Sequence, residues 1–409
     1  MSNYNTELAN GKHRFVYLDG IRGVAAFIVI FGHFRSAFYD DSRNSGLSSF
    51  FWRKFDLFFL KADFSVQLFF VLSGFVLAYN SFNRDSFLKK QWIKRYYRLV
   101  MPVFLSSILY LVFFKNGLIW FQQLSLIQTN DWISKHWTIE FGWSQFLLRF
   151  FYSFIFFSDW QFIWNVNSAL WTIPVELYWS YILFAFFLIV RVIKKTWMRS
   201  IVLAGGILIL IRFVEIIGEE YAVLFLAGAL LALNFEGIKR IFSKRYSRLI
   251  FFVFILGYMY VVEKEWLRES PSYPFRWGYF AAIFLIFFAL ISSTVQRIFS
   301  VIFIQWLGRI SFALYLLHLL VVASLGAWLY VELPFLRTNS GLFLLLGIVL
   351  AVSFGIAHLF TKFVDEPLMK MFDVYYKKLP ALKLNLSFPK LATKKADLPA
   401  ENKTNTYEQ

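Results

Sequence analysis

The sequence predicts an all-α polytopic membrane protein with about ten spanning helices, and two observations carry that prediction. First, 59% of the 409 residues are hydrophobic, only 16% are charged, and 53 residues are Phe. Second, apolar runs of roughly 20 residues, the length that a helix needs to cross a bilayer, recur along the chain. An ordinary soluble domain does not bury that much apolar surface. The lipid bilayer is therefore the expected surroundings of the bundle.

The charges and the missing motifs exclude several classes of function. The net charge of +17 arises from 42 Lys and Arg against 25 Asp and Glu. Because the basic residues lie between apolar runs, we interpret them as topology determinants and expect no nucleic-acid partner. The absence of cysteine excludes disulfides, thiolate metal ligands and a cysteine nucleophile. No Walker A loop, dinucleotide-binding glycine motif or zinc-type histidine pair occurs, so no metal site and no tightly bound cofactor are predicted.

The first span poses the functional question. Its sequence, FVYLDGIRGVAAFIVIFGHF (15–34), places Asp19, Arg22 and His33 inside an apolar segment. On an α-helix, Arg22 and His33 point within roughly 20° of each other, and Asp19 lies within about 40° of His33. A charged residue inside a membrane is costly unless it faces protein or water, so this polar face predicts a functional site. We expect Asp19 to form an ion pair with Arg22.

Nine further apolar segments follow, and the basic loops between them indicate their orientation. The loop 84–98 holds six Lys or Arg and is expected on the cytoplasmic side, as is the loop 191–199. The short apolar segment 146–157 then stays at the outer surface or is partly re-entrant, which gives ten spans with both termini inside. No removable signal peptide is predicted, so the first span is retained. The later spans are predicted at 64–82, 99–115, 169–190, 201–217, 222–235, 249–263, 277–296, 304–330 and 341–363.

The domain organisation is simple. Residues 1–372 are predicted as one transmembrane domain, without a strong internal repeat or a second globular domain. Residues 373–409 form a polar, Lys-rich cytoplasmic tail. Its composition predicts that it is disordered or that it lies on the anionic inner leaflet.

Polar residues in the later spans extend the candidate site. Glu176 is predicted two turns below the outer surface, at the depth of His33, and Pro174 suits the first turn of the same span. A histidine beside a carboxylate is a recurrent general base, because the acid fixes the tautomer of the imidazole. The same residues would also suit a proton relay in a transporter, or simple hydrogen bonding between packed helices. For His318, in the middle of its span, lining of the site and packing remain equally open.

Arg95 and Arg98 have two interpretations as well. Residues three apart share a helix face, so the two guanidinium groups could hold a phosphate together. The alternative is that they follow the positive-inside rule and contact lipid headgroups. Spacing alone favours the second interpretation.

Six motifs, in order, resemble the acyltransferase 3 family of membrane acyltransferases. The resemblance implies an integral membrane enzyme of the bacterial inner membrane. Such an enzyme transfers an acyl group, commonly acetyl from acetyl-CoA, to a hydroxyl of a surface polysaccharide or another extracytoplasmic glycan. The motifs, found between 15 and 367, are YLDGIRGVAAFIVIFGH, FSVQLFFVLSGFVLAY, KRYYRLVMP, NSALWTIPVELYWS, GRISFALYLLH and DEP.

The resemblance also implies roles for individual residues. His33, which ends an Arg-x10-His signature, would be the catalytic histidine, and Glu176 would be the second catalytic residue. Glu176 matches the glutamate of a W-x-x-x-E element, with one additional residue between it and Trp171. Whether an acyl group is held covalently on His33 or Ser73 stays open.

The implied donor is acyl-CoA, a substrate rather than a bound cofactor. Its phosphates would meet Arg95 and Arg98, and its pantetheine arm would lie beside Arg22 and Ser73. Four further residues are candidates for lining the site, namely Asp19, Gln67, Trp171 and His318. Gln67 stands at a position where many members of the family have Asp.

Two other classes of function compete with the enzyme. A transporter or exporter of lipid-linked sugars would also place polar residues inside a bundle, but it predicts inverted repeats with paired broken helices, which the sequence does not reveal. A structural scaffold does not explain the polar face of the first span. For the enzyme, the expected partners are acyl-CoA, a glycan acceptor and the lipid bilayer. Transfer is completed within the bundle or by a separate extracytoplasmic protein that takes over the acyl group.

Overall fold

The computed structural model describes residues 15–39, 62–82, 88–128, 142–156, 160–213, 219–242 and 277–378, and the single residues Ile133, Leu249 and Val253. Within these ranges the backbone is almost wholly helical and no β-strand occurs, so the predicted all-α class is confirmed. The helices are α1 (Val16–Phe38), α2 (Ala62–Phe82), α3 (Leu88–Lys115), α4 (Phe121–Ser125), α5 (Trp143–Phe156), α6 (Trp160–Val166), α7 (Thr172–Val190), α8 (Thr196–Phe213), α9 (Glu219–Leu233), α10 (Phe235–Ile241), α11 (Trp277–Ile291), α12 (Ser293–Phe299), α13 (Ile302–Val321), α14 (Ala327–Glu332), α15 (Asn339–Phe360) and α16 (Glu366–Lys378).

The lengths of these helices support a protein that crosses a membrane several times. In the described ranges, six helices are long and apolar enough to span, and the number reaches eight if each of two bent helix pairs is one span. The shorter α8 lies where the fifth span is predicted. Because 249–263 is almost entirely outside the described residues, the number of ten spans stays a prediction.

Side-chain contacts give the relative directions of four of the described spans. Helix α2 is antiparallel to α1, since Phe15 at the start of α1 packs on Phe75 and Tyr79 near the end of α2. Helix α13 is parallel to α1, since Gly23 lies against Gly308 and His33, further along α1, binds His318. Helix α15 returns antiparallel to α13, with Trp306 against His358. This alternation agrees with the order of outward and inward spans predicted from the basic loops.

Glycines allow the closest helix contacts. A Cβ on Gly74 of α2 would lie 2.2 Å from the backbone oxygen of Phe225 in α9, and one on Gly228 of α9 would lie 2.1 Å from that of Val71. Gly23 of α1 is similarly tight against α13. Small residues at such crossings let the backbones approach and gain van der Waals contact, which is the main attraction between helices in lipid.

Helix α5 corresponds to the short apolar segment that was left out of the predicted spans. Its 14 residues bury Phe146, Phe150 and Phe154, which are four residues apart and therefore share one face. That face packs on Phe104, in the middle of α3. The opposite face of α5 exposes apolar side chains, among them that of Leu148.

After α6, a short 3-10 turn leads into α7 within the bundle. The side chain of Asn167 donates to the carbonyl oxygen of Leu316 in α13 at 3.1 Å, and the Tyr315 hydroxyl donates to the carbonyl oxygen of Ala169 at 2.6 Å. Asn167 and Ala169 are both buried. Helix α7 therefore begins beside the last third of α13. Because that helix continues through a π-helical turn to Glu332, this level lies inside the bundle and not at its end.

The C-terminal part of the described chain differs from the predicted boundary. Helix α15 continues through a π-helical turn into α16, which extends to Lys378, so the first six residues of the predicted tail are helical. The reason is tertiary contact: Asp373 accepts two hydrogen bonds of 3.1 Å from Lys94, and Phe372 packs on Tyr97. Residues 379–409 lie outside the described ranges, so the disorder predicted there stays a prediction.

Candidate functional site

Five helices, α1, α2, α3, α7 and α13, surround a cavity of about 570 Å³. This volume is typical of sites that hold small molecules or cofactors. One wall is apolar, with Val66, Phe69 and Phe70 among its residues. The charged and hydroxyl-bearing residues that line the cavity include six of the predicted site residues, which are Asp19, Arg22, Ser73, Arg95, Arg98 and Glu176.

The two acids of the cavity are each paired with an arginine. Asp19 and Arg22 form an ion pair of 3.3 Å within α1, which confirms the predicted pairing. Glu176 of α7 binds the guanidinium of Arg95 and accepts a hydrogen bond of 2.5 Å from the Ser73 hydroxyl. Both partners of the Arg95–Glu176 pair are largely buried, with 15% and 18% of their side-chain surface exposed. The pair therefore joins α3 to α7 beside the cavity, and the hydrogen bond from Ser73 adds α2.

Among the described residues that line the cavity, Arg98 is the charged residue without an ion-pair partner within 4.0 Å. The Arg98 side chain is exposed to the space of the cavity, and the cavity itself lies within the protein. Among the described residues no carboxylate comes within 4.0 Å of Arg98, and Asp365 acts on it only over a longer distance. Three arginines and two acids leave the cavity with a net charge of +1. Such a site favours an anionic ligand, because a guanidinium without an ion-pair partner can bind phosphate or carboxylate bidentately.

His33, at the other end of α1, forms a hydrogen-bonded pair with His318 of α13. The Nδ1 atom of His33 lies 2.8 Å from the Nε2 atom of His318. His318 is fully buried, whereas His33 is partly exposed. Neither imidazole lines the cavity that holds the arginines.

Tyr315 lies between the cavity and the histidine pair. Its ring lines the cavity, and the ring centroid is 6.0 Å from that of His318. Because the Tyr315 hydroxyl donates its proton to Ala169, it accepts a hydrogen bond of 2.8 Å from Thr172. These bonds fix the side chain that borders both the cavity and His318.

The predicted common depth of His33 and Glu176 is wrong. Asn167 is bonded to Leu316, two residues before His318, so Asn167 lies near the level of the histidine pair. Glu176 follows nine residues later in a chain that runs the other way, which places it ~13 Å nearer the arginine end. The prediction assumed that α7 begins at the membrane surface, whereas α6 and the 3-10 turn carry the chain into the bundle first. Glu176 therefore binds Arg95 and Ser73 in place of His33.

Besides His318, two more of the predicted lining residues lie outside the cavity. Gln67 is buried on α2 and faces Gly278 of α11, where a Cβ would come within 2.4 Å of its Oε1 atom. Trp171 packs its ring on Tyr221 of α9, with the ring centroids 5.3 Å apart. In this structure neither residue is in contact with the charged part of the site.

Tyr315 and Thr172 are site residues that the sequence analysis missed. Both belong to the quoted motifs, three residues before His318 and one after Trp171. A phenol and a hydroxyl on otherwise apolar segments were the available signal. Among the described residues, no cluster of three or more acids or histidines is arranged to hold a metal ion.

The family of the chain follows from a comparison with family models. Residues 15–359 match the model of the acyltransferase domain of the acyltransferase 3 family, which is most of the chain. The chain belongs to the acyltransferase 3 family. No curated protein and no solved structure matches it. As a family member built from apolar spanning helices, the protein is a membrane acyltransferase.

Proposed function

We propose that this acyltransferase 3 protein is an O-acyltransferase of the bacterial inner membrane. It moves an acyl group, which we expect to be acetyl, from cytoplasmic acyl-CoA to a hydroxyl of an extracytoplasmic glycan. The observation that carries the proposal is the arrangement along α1. One end of this helix contributes Asp19 and Arg22 to a cationic cavity, and the other presents His33. His33 follows Arg22 by eleven positions, which is ~16 Å along a helix.

The cavity is the proposed donor site. Acyl-CoA is a polyanion with a linear pantetheine arm that carries the thioester at its end. Arg98, which has no close ion-pair partner within the described part of the chain, offers its guanidinium to the phosphates. Arg95 reaches them only in part because Glu176 already binds it. The arm then extends past Arg22 and Ser73 toward the histidine pair.

His33 is the proposed general base. It removes the proton of an acceptor hydroxyl, and the oxygen attacks the thioester carbonyl. A carbon–oxygen bond forms, the carbon–sulfur bond breaks, and the departing thiolate takes the proton from the imidazolium. The products are the ester and free CoA, so no further reactant is needed. For the thioester to reach His33, the ring of Tyr315 has to move from its place between the cavity and the histidines.

One observation bears on the alternative, a transporter. Helices α9 and α10 meet at 68°, and α11 and α12 meet at 101°. In transporters, broken helices place their ends at a central binding site. Here the breaks are at Asn234 and Ser292, which do not line the cavity, and α12 ends with Phe299 against Gly20 in the first turns of α1. The bends therefore favour a change of direction at the end of the bundle, and the enzyme stays the preferred function.

Replacing Arg98 with glutamine is expected to raise KM for acetyl-CoA about 10-fold or more, since a hydrogen bond to a charged group contributes roughly 1.5–3 kcal/mol. Turnover at saturating donor should change little. With S-acetylpantetheine, which lacks phosphates, the variant and the wild type should have the same KM. Arg309→Gln is the matched control, because Arg309 is exposed and pairs with Glu366 outside the cavity. A donor-independent defect would contradict phosphate binding by Arg98.

The function itself is tested with membranes from cells that express the wild-type protein. They are incubated with acetyl-CoA labelled in the acetyl group, and label in base-labile esters of the glycan fraction is counted. Label above that of membranes without the protein is expected, together with release of one free CoA per ester. Export of lipid-linked sugar without any acyl transfer would instead support the transporter.

A further inference from the structure

We infer that His318 is a positioning residue that sets the tautomer of His33, so that Nε2 of His33 is the basic atom. The inference rests on the proposed function for its catalytic meaning. The hydrogen bonds that fix the tautomer begin at backbone carbonyl groups of α13.

The protonation of His318 follows from its neighbours. Its Nδ1 atom lies 2.8 Å from the carbonyl oxygen of Tyr315 and 3.1 Å from that of Leu314. A carbonyl oxygen can only accept, and it has two lone pairs, so it can bind an imidazole as well as a backbone amide. Nδ1 of His318 therefore carries a proton.

A doubly protonated His318 is excluded by its surroundings. The residue is 0% exposed, and within the described part of the chain no carboxylate acts on it. A buried cation without a compensating acid is strongly unfavourable. His318 is thus neutral, and its Nε2 atom has a lone pair and no proton.

This lone pair determines the state of His33. Two nitrogens 2.8 Å apart need one proton between them, and His318 does not supply it, so Nδ1 of His33 is the donor. The ring geometry agrees: the planes differ by 19°, and the centroid distance of 5.0 Å exceeds the nitrogen–nitrogen distance by 2.2 Å. The rings are therefore nearly coplanar and meet edge to edge, with the N–H directed along the line between them.

The consequence is a defined base. With Nδ1 protonated, neutral His33 has its lone pair on Nε2, on the far side of the ring from His318. In histidine-based catalysis a carboxylate usually fixes the tautomer of the base. Here a neutral imidazole, which is itself oriented by two backbone carbonyls, fixes it. His318 does not need to touch the substrate to act in this way.

The tautomer can be measured directly in the wild-type protein. The chain has five histidines. In a ¹⁵N-histidine-labelled sample in bilayers, solid-state NMR identifies the His33 signals as those that vanish in His33→Ala. We expect a protonated Nδ1, an unprotonated Nε2 and a coupling across the hydrogen bond to Nε2 of His318. A protonated Nε2 and bare Nδ1 on neutral His33 would overturn the inference, whether or not the protein transfers acyl groups.

Kinetics test the consequence for catalysis. His318→Leu is expected to lower kcat about 10²-fold, within the range of acid–base contributions, and to leave the donor KM within about twofold. His318→Gln offers His33 an amide oxygen as acceptor and should recover most of the rate. His358→Gln is the matched control, since His358 contacts Trp306 and lies outside the site. Equal kcat for His318→Leu and His318→Gln would overturn the positioning role, whereas an inactive wild type would overturn only the proposed function.

Discussion

Replacing His33 with alanine is expected to lower kcat for acyl transfer about 10²- to 10⁴-fold, the usual contribution of a positioned general base. The donor KM should stay within about twofold, because His33 does not line the cavity in which acyl-CoA is proposed to bind. The measurement is release of CoA from acetyl-CoA in the presence of the glycan acceptor, at several donor concentrations.

The matched control for this loss is His358→Ala. His358 lies on α15, where its ring packs on Trp306, and it does not line the cavity. It should transfer acyl groups at the wild-type rate. If His33→Ala keeps wild-type kcat, or if it changes only the donor KM, His33 is not the base.

Replacing Gly74 with alanine is expected to cause the largest loss of stability among the substitutions considered. The new Cβ would lie 2.2 Å from the backbone oxygen of Phe225, which cannot turn away as a side chain can. The two helices would have to separate along their whole contact, and overpacking of this kind typically costs about 1–3 kcal/mol and occasionally more. Thermal unfolding of the detergent-solubilised protein measures the effect as a lower Tm and a smaller folded fraction.

Gly347→Ala controls for the chemical change alone. Gly347 also lies in a long apolar helix, but a Cβ there meets nothing within 4 Å among the described residues. Alanine favours the helix over glycine, so this variant should have the wild-type Tm or a slightly higher one. A Gly74→Ala protein as stable as Gly347→Ala would contradict the close contact between α2 and α9.

Much of the fold could be predicted because membrane-length apolar runs and the positions of basic residues are local properties of a sequence. The predicted order of outward and inward spans agrees with the contacts of α1, α2, α13 and α15. The pairing of Asp19 with Arg22 was also predictable, since it depends only on helix geometry within α1.

The partners of His33 and Glu176 were not predictable from spacing. Where a helix begins within the bundle depends on the segment before it, and the sequence of 160–171 does not reveal that Asn167 binds Leu316 inside the bundle. A shift of about 13 Å in the depth of Glu176 exchanges one set of neighbours for another. Spacing likewise does not reveal that His33 binds His318 on α13, 285 residues away along the chain.

The two members of the basic pair differ in a way that only tertiary structure decides. Arg95 and Arg98 are three residues apart on one helix, yet Glu176 binds the first, and no acid among the described residues lies within 4.0 Å of the second. The sequence predicts a shared face but not which guanidinium is already occupied. Arg98 is consequently the better candidate for a ligand.

The central claim is that the acyl group moves along α1, from the arginine end on the cytoplasmic side to the histidine end on the outer side. Vectorial transfer in sealed membrane vesicles tests it most directly, with labelled acetyl-CoA supplied only in the external buffer and His33→Ala vesicles as background. Inverted vesicles, whose cytoplasmic face is outward, are predicted to esterify the glycan enclosed in their lumen. Right-side-out vesicles, whose glycan is on the outer face, are predicted not to label their glycan. Label in right-side-out vesicles and none in inverted ones would contradict the account.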